Sequence, residues 1–269
     1  MRTNHPTPEV ILLAESGPNR LRRLRAAFRN AHPDAVVTGR EALWLNGIPV
    51  PQQGAVHLLV PLKRPGRADG SVIVERTAHP PEPLWRRGFP TTPAARAAVD
   101  SCRRAATLDQ VRELIDVTRA GGVEVSDLHA ELAHVPEQGT TLLRRVLAEI
   151  DRDLRWRSAK AAQDLVDRAG LPPPTWTARL STVGDVHLAV VDAWWDKVAF
   201  AWDCDLHRPW APRTGVPALT RAARLTAAGI VPLHTDPLRV IAEPDTVVEE
   251  LRGAYRLATT RPRPEVIMS

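Results

Sequence analysis

Residues 184–207 read GDVHLAVVDAWWDKVAFAWDCDLH. Two apolar runs, 186–191 and 198–202, are bounded by acids: Asp192 follows the first, and Asp203 and Asp205 follow the second with Cys204 between them. Short apolar runs bounded by turn residues predict strands. A strand, a carboxylate-bearing turn and a second strand ending in Asp-x-Asp would bring three carboxylates to one end of a sheet. Hard divalent cations take oxygen ligands, so such a cluster is a candidate Mg²⁺ site. The competing reading is polar strand ends capping a buried hairpin, because strands commonly end in Asp and turn residues. Pattern alone leaves both open.

The flanks supply helices. Residues 158–169 have helical periodicity and stop at Gly170 and the Pro172–Pro174 run. Strands are expected at 175–180, 186–191 and 197–202, then a helix at 217–228 ended by Gly229, a strand at 230–234 and a helix at 245–258. A helix that returns the chain to a further strand implies a mixed sheet with helices on its faces. The RPRP tail after Thr260 is expected to be mobile. Residues 156–269 therefore form one expected α/β domain. Before it, helices are expected at 91–105, 108–120, 126–133 and 139–155, their aliphatic stripes making residues 91–155 a helical scaffold.

Residues 1–90 form an expected basic α+β region. Residues 10–14 are a short strand or helix, and a helix begins at Asn19. Leu21, Leu24, Ala27 and Phe28 mark its apolar stripe, and Arg20, Arg22, Arg23, Arg25 and Arg29 cover the rest. A strand and helix follow in 34–47, then strands at 56–61, 71–75 and 84–86. The loop KRPGRADG joins the first two of these, and its Lys63, Arg64 and Arg67 resemble the tip of a winged module. Both basic groups are candidate phosphate contacts, and a merely solvated face has the same composition.

Of 269 residues, 43% are hydrophobic, enough for one large or two modest domains. The 33 arginines against 3 lysines read as codon bias before they read as phosphate recognition. Charge placement says more: residues 1–90 hold 13 basic and 7 acidic residues, net +6, whereas 91–155 carry −2 and 156–269 carry +1. Localised positive charge is the better pointer to a polyanion. Cys102 and Cys204 have no CxxC or Cys/His spacing for zinc. No secretory signal opens the chain and no apolar run approaches the ~20 residues of a membrane helix, so a reducing cytoplasm is the expected compartment. GxSxG, P-loop and GxGxxG patterns are absent. Asp100, His129 and His134 have no spacing that fixes a triad. Trp194 and Trp195 read as core or rim packing, with base stacking the alternative.

The order of RSAKAAQDLVDRAGLPPPTW, VVDAWW, VAFAWDCD and RAARLTAAGIVPLHTDP resembles the restriction-endonuclease-like core. More narrowly, it resembles very-short-patch-repair-type endonuclease domains of actinobacterial proteins. Upstream, DAVVTGREALWLNGI, VHLLVPLKR, VIVERT and GFPTTPAARAAVD resemble the region that precedes that domain. A similar region occurs in AbiEi-type antitoxins, which are DNA-binding repressors. The likeness implies an α/β restriction-endonuclease-like sheet flanked by helices, with Asp192 in the first acidic motif. Asp203-Cys204-Asp205 stands where the pattern has Glu-x-Asp, and His207 arrives early for the usual His. The pattern's helix acid is missing, with Lys160 or Ala161 in its place.

Two functions from different classes follow. One is a DNA-binding regulatory or defence-associated protein, antitoxin- or repressor-like, with a degenerate nuclease-like domain that needs no cofactor and has a toxin or transcription component as possible partner. The other is a Mg²⁺- or Mn²⁺-dependent DNA endonuclease with Asp192 and Asp203 as metal ligands, Asp205 beside them, and His207 or Lys160 as base or charge stabiliser. A protein-interaction scaffold without DNA binding is the third reading.

Overall fold

A computed structural model of the chain describes residues 8–29, 31–63, 70–206 and 216–268. Contacts divide it into two compact units, Met1–Ala148 and Glu149–Ser269. Residues 91–148 thus belong to the same unit as the basic region before them.

The first unit opens with α1 (Pro8–Arg29), followed by β1 (Val36–Thr38), α2 (Gly39–Leu45), β2 (Val56–Pro61), β3 (Val72–Thr77), β4 (Leu84–Arg86) and β5 (Phe89–Thr91). Helices α3 (Ala94–Cys102), α4 (Leu108–Ala120) and α5 (Val125–Leu132) complete it, and α6 (Thr141–Ala169) begins in it. The sheet order is β3-β2-β1-β5-β4. VHLLVP of β2 is buried at nearly every position, as a strand covered on both faces must be. α4 starts where Thr107 accepts the Gln110 amide at 3.3 Å and ends at Gly121, so its expected bounds hold. Helix α1 starts at Pro8, ahead of the expected Asn19.

Two expectations for this unit change. β2 and β3 are parallel, Val56 pairing with Val72 and Pro61 with Thr77, so they do not make the hairpin that a wing requires. Strand β5, which the sequence reading missed, pairs parallel with β1 and antiparallel with the edge strand β4.

The second unit contains the later part of α6, then β6 (Thr175–Thr182), β7 (His187–Trp195), β8 (Phe200–Asp203), α7 (Val216–Ala227), β9 (Val231–His234), α8 (Pro237–Ala242), α9 (Pro244–Thr259) and β10 (Val266–Met268). The sheet order is β10-β6-β7-β8-β9. β6, β7 and β8 form an antiparallel meander, and α7 carries the chain to β9, which lies parallel to β8. The fold is therefore mixed α/β, with a mixed five-stranded sheet in each unit.

Both faces of this second sheet are covered. Ala193, Trp195, Phe200, Trp202 and Cys204 pack with Ala162, Leu165 and Val166 of α6 and with Val247, Val248 and Leu251 of α9. Trp194 and Ala201 face the other way, in a cluster with Leu225 of α7. The strand period of two fixes that division, because opposed residues of an antiparallel pair share a face. Trp194 and Trp195 are thus core residues, 1% and 4% exposed, which removes the base-stacking alternative.

The helix and tail of this unit also depart from expectation. The expected helices at 139–155 and 158–169 are one helix, α6, because DRDLRWRSAK between them has neither Gly nor Pro to stop it. Inside that helix, the Ser158 hydroxyl donates to the Pro237 carbonyl at 3.1 Å. The tail is anchored: Arg263 donates to the Asp196 carbonyl and carboxylate at 2.9 and 2.8 Å, and Val266–Met268 pairs with β6. Among the described residues no helix is long and apolar enough to cross a membrane.

Candidate functional site

The decisive local fact is the length of β7. It runs through Asp192 to Trp195, and the reversal comes later, in a 3₁₀ turn at Asp196–Val198 closed by Ala199 at φ +49°. Asp192 is therefore a strand residue and not the turn residue expected. Trp195 pairs with Phe200 and Ala193 with Trp202, so the next position outward sets Asp192 against Asp203. Both acids share the face of Trp194 and Ala201, the face covered by α7.

Each carboxylate is heavily engaged. Asp192 is 3% exposed, and its Oδ2 accepts the backbone amides of Cys204 at 2.7 Å and Leu206 at 3.3 Å. Those bonds fold the chain leaving β8 back over the end of β7. Arg221 of α7 sits four residues before the buried Leu225, on the helix face turned to the sheet. Its Nε lies 2.8 Å from Asp203 Oδ2, and its Nη2 donates to Asp205 Oδ1 at 3.0 Å. His234, at the end of β9, reaches Asp205 Oδ2 with Nε2 at 2.7 Å. Asp205 holds a left-handed conformation at φ +49°, which Asp tolerates better than most residues.

The electrostatics follow. Burial first, and then the Asp192 charge, push the Asp203 carboxyl up to about 7. The Asp192 side chain, hydrogen-bonded to it, adds to the rise. Burial works against ionisation of Asp205 as well, but the His234 hydrogen bond and the His234 and Arg221 charges hold it below its ordinary value. In return the Asp205 hydrogen bond raises His234. Burial, followed by the Asp192 charge, raises the Cys204 thiol well above the usual range. The cluster is an internally compensated network of three acids with two bases.

A divalent cation does not fit this arrangement. Asp192 Oδ2 is taken by two backbone amides, and one guanidinium occupies the space between Asp203 and Asp205 that an ion would need. No group of three or more His, Cys, Asp or Glu residues placed to hold a metal ion occurs among the described residues. The adjoining cavity, lined by Asp203, Arg221, His234 and Leu225, encloses about 60 Å³, room for water and not for a nucleotide.

The remaining candidates divide. Lys160 is an exposed residue of α6 whose ammonium lies 3.9 Å from Asp164 one turn on, so its ion pair is with its own helix. His207 lies outside the described residues, and His234 holds the position beside Asp205. In the first unit Arg20 is interior, 1% exposed: it donates to Glu41 at 2.9 Å and to the Val50 carbonyl at 2.7 Å, and lies 4.9 Å over the Trp44 ring. Arg20 is thus a core ion pair, not a phosphate contact. Arg23 is half-buried, donating to the Gly54 carbonyl and lying 3.9 Å from Glu41. Arg22, Arg25 and Arg29 are exposed and have no ion pair or hydrogen bond among the described residues. Lys63 is exposed at the end of β2, whereas Arg64 and Arg67 lie outside the described residues.

Sequence reasoning missed Arg221 and His234. The signals were present: Arg221 precedes Leu225 by one helical turn, and His234 ends the strand that pairs in register with Asp203. The chain matches no protein-family model, no curated protein and no solved structure.

Proposed function

We propose that this chain is a DNA-binding regulatory or defence-associated protein, antitoxin- or repressor-like, whose second unit keeps the strand frame of a restriction-endonuclease-like centre without its chemistry. The observation that carries the DNA reading is the outer face of α1. Arg22, Arg25 and Arg29 fall at i, i+3 and i+7, share one solvent-facing side, and have no acidic partner among the described residues. Unneutralised guanidinium groups on one helix face suit a phosphate backbone. The loss of chemistry is argued from Arg221, which stands as a permanent cation where a nuclease needs an exchangeable one.

The test is polarisation of a labelled duplex across a salt series. Binding should weaken as salt rises, and Arg22→Ala/Arg25→Ala/Arg29→Ala should flatten the slope by about 0.9 for each phosphate no longer neutralised. Absence of salt-sensitive binding at low ionic strength overturns the proposal.

One observation favours the endonuclease reading. Asp192 and Asp203 oppose each other closely enough to share a hydrogen bond, the pairing a cation would relieve if Arg221 withdrew. Plasmid nicking with Mg²⁺ or Mn²⁺ that disappears in both Asp192→Ala and Asp203→Ala would establish that reading in place of the first.

A further inference from the structure

The first unit holds a cavity of about 330 Å³ whose walls include Gly39, Arg40, Gln53, His57, Arg104 and Gln110. That size lies within the range of small-molecule sites. Its floor is His57 on β2, a side chain only 6% exposed. Nε2 of His57 approaches Glu75 Oε2 at 3.2 Å without hydrogen-bond alignment, and Nδ1 has no partner at all. A buried polar atom left without a partner carries an uncompensated desolvation penalty, so its persistence calls for an explanation. Nδ1 looks toward Gly39, where a Cβ would come within 3.3 Å of it. Gly39 has φ +66°, so a larger residue is disfavoured on backbone grounds as well.

The walls are cationic. Arg40 is half-buried and Arg104 exposed, and neither side chain has an ion pair or hydrogen bond among the described residues. The one acid in the lining, Glu41, is already committed to Arg20 and Arg23, and Glu75 close by to Arg103 as well as His57. Gln110 uses its Oε1 to accept the Ala106 amide at 2.9 Å, leaving its NH₂ as the free polar group.

We infer that this cavity binds a small phosphorylated molecule, its phosphoryl oxygens taken by Arg40, Arg104 and the Nδ1 of His57. Two guanidinium groups and an imidazole supplied to one cavity by separate elements suit a tetrahedral oxyanion, for which guanidinium is a charge-assisted, fork-shaped partner. A phosphate alone underfills the space, so the ligand carries a polar body that the Gln53 and Gln110 amides contact. The site stands whether or not α1 binds DNA.

Isothermal titration of the full chain in chloride buffer with inorganic phosphate, ribose 5-phosphate and adenosine monophosphate tests it. A phosphorylated sugar or nucleotide is expected to bind more tightly than inorganic phosphate, and ribose without phosphate not to bind. Arg40→Ala and Arg104→Ala should each weaken binding at least tenfold, with Arg104→Lys recovering part of it. Arg104 is on the surface, so its variant folds and reports on binding alone. Binding of none of the three phosphates, unchanged affinity in both alanine variants, or binding of duplex DNA only would overturn the inference.

Discussion

Arg221 Nε lies 2.8 Å from Asp203 while its Nη2 lies 3.0 Å from Asp205, so a single guanidinium spans two acids placed two residues apart at the end of β8. Asp203 and Asp205 are only 13% and 11% exposed, so water replaces the guanidinium poorly at either. Removing one member of a buried ion pair leaves the other charge uncompensated. Arg221→Met is expected to destabilise the second unit by about 2–4 kcal/mol, and Arg221→Lys by less, because an ammonium keeps the charge but cannot reproduce the fork. Urea denaturation followed by Trp fluorescence checks it, since Trp194 and Trp202 are buried in this unit.

The Asp203 carboxyl gives that stability a pH dependence. Its folded value of about 7 lies above its ordinary 3.8, so the folded state binds the extra proton between these limits. Stability contributed by that proton is present at low pH and lost as pH rises from about 4 to about 7. The Asp205 carboxyl, held low, acts oppositely: its contribution is present above its ordinary value and lost on acidification. His234, raised, contributes below its ordinary 6.5 and loses that contribution as pH rises through its folded value. The urea midpoint should therefore fall between pH 5.5 and 8. Asp203→Asn should remove most of the drop by sparing on the order of 1–3 kcal/mol at pH 8. An equal drop in both proteins would show that Asp203 does not titrate in this window.

Arginines on α1 should separate into two classes. Arg20→Ala empties an interior ion pair and a Trp44 contact, and is expected to cost about 3–5 kcal/mol of stability in the first unit. Arg22→Ala, Arg25→Ala and Arg29→Ala should each change stability by no more than about 0.5 kcal/mol. Thermal melts of the four variants decide this independently of any DNA measurement.

Both thiols should be inert in the native state. Cys102 and Cys204 are 1% and 0% exposed, and burial pushes Cys102 up to about 12 and Cys204 well above its usual range. Thiolate is the reactive species. Ellman's reagent should therefore read no thiol in the folded protein at pH 8 and both in urea.

How much of this was legible from residues alone varies with the physics involved. Helix α4 was legible because its signals are local: an apolar period over 108–120, bounded in the structure by the capping Thr107 and by Gly121. The acids at 192, 203 and 205 were visible too, and their convergence follows from hairpin register. The register itself depends on where the reversal falls. Trp194 and Trp195, read as core or rim packing beyond a strand expected to stop at 191, are the end of β7, because burial on both faces erased the alternation that would have marked the strand. Arg221 and His234 were illegible for a different reason: each meets Asp205 across at least sixteen residues of chain, through a helix crossover and a parallel pairing. The mistaken wing came from the same gap, since a ten-residue connection between two strands has the same composition whether they run parallel or antiparallel.

The pairing of β10 with β6 has a consequence for how the second unit is made. Thr182 meets Val266, while everything from β7 to α9 lies between them in the chain. On the ribosome, β6 emerges long before its outer neighbour exists. The β6–β7–β8 meander can form early from near neighbours, but β6 then presents bare amides and carbonyls on one side until residues 266–268 arrive. Pairings of such sequence separation form slowly, and an open strand edge invites association with other chains meanwhile. The nascent protein is most prone to self-association in that interval, which closes when the segment tied to Asp196 by Arg263 delivers β10 to the edge.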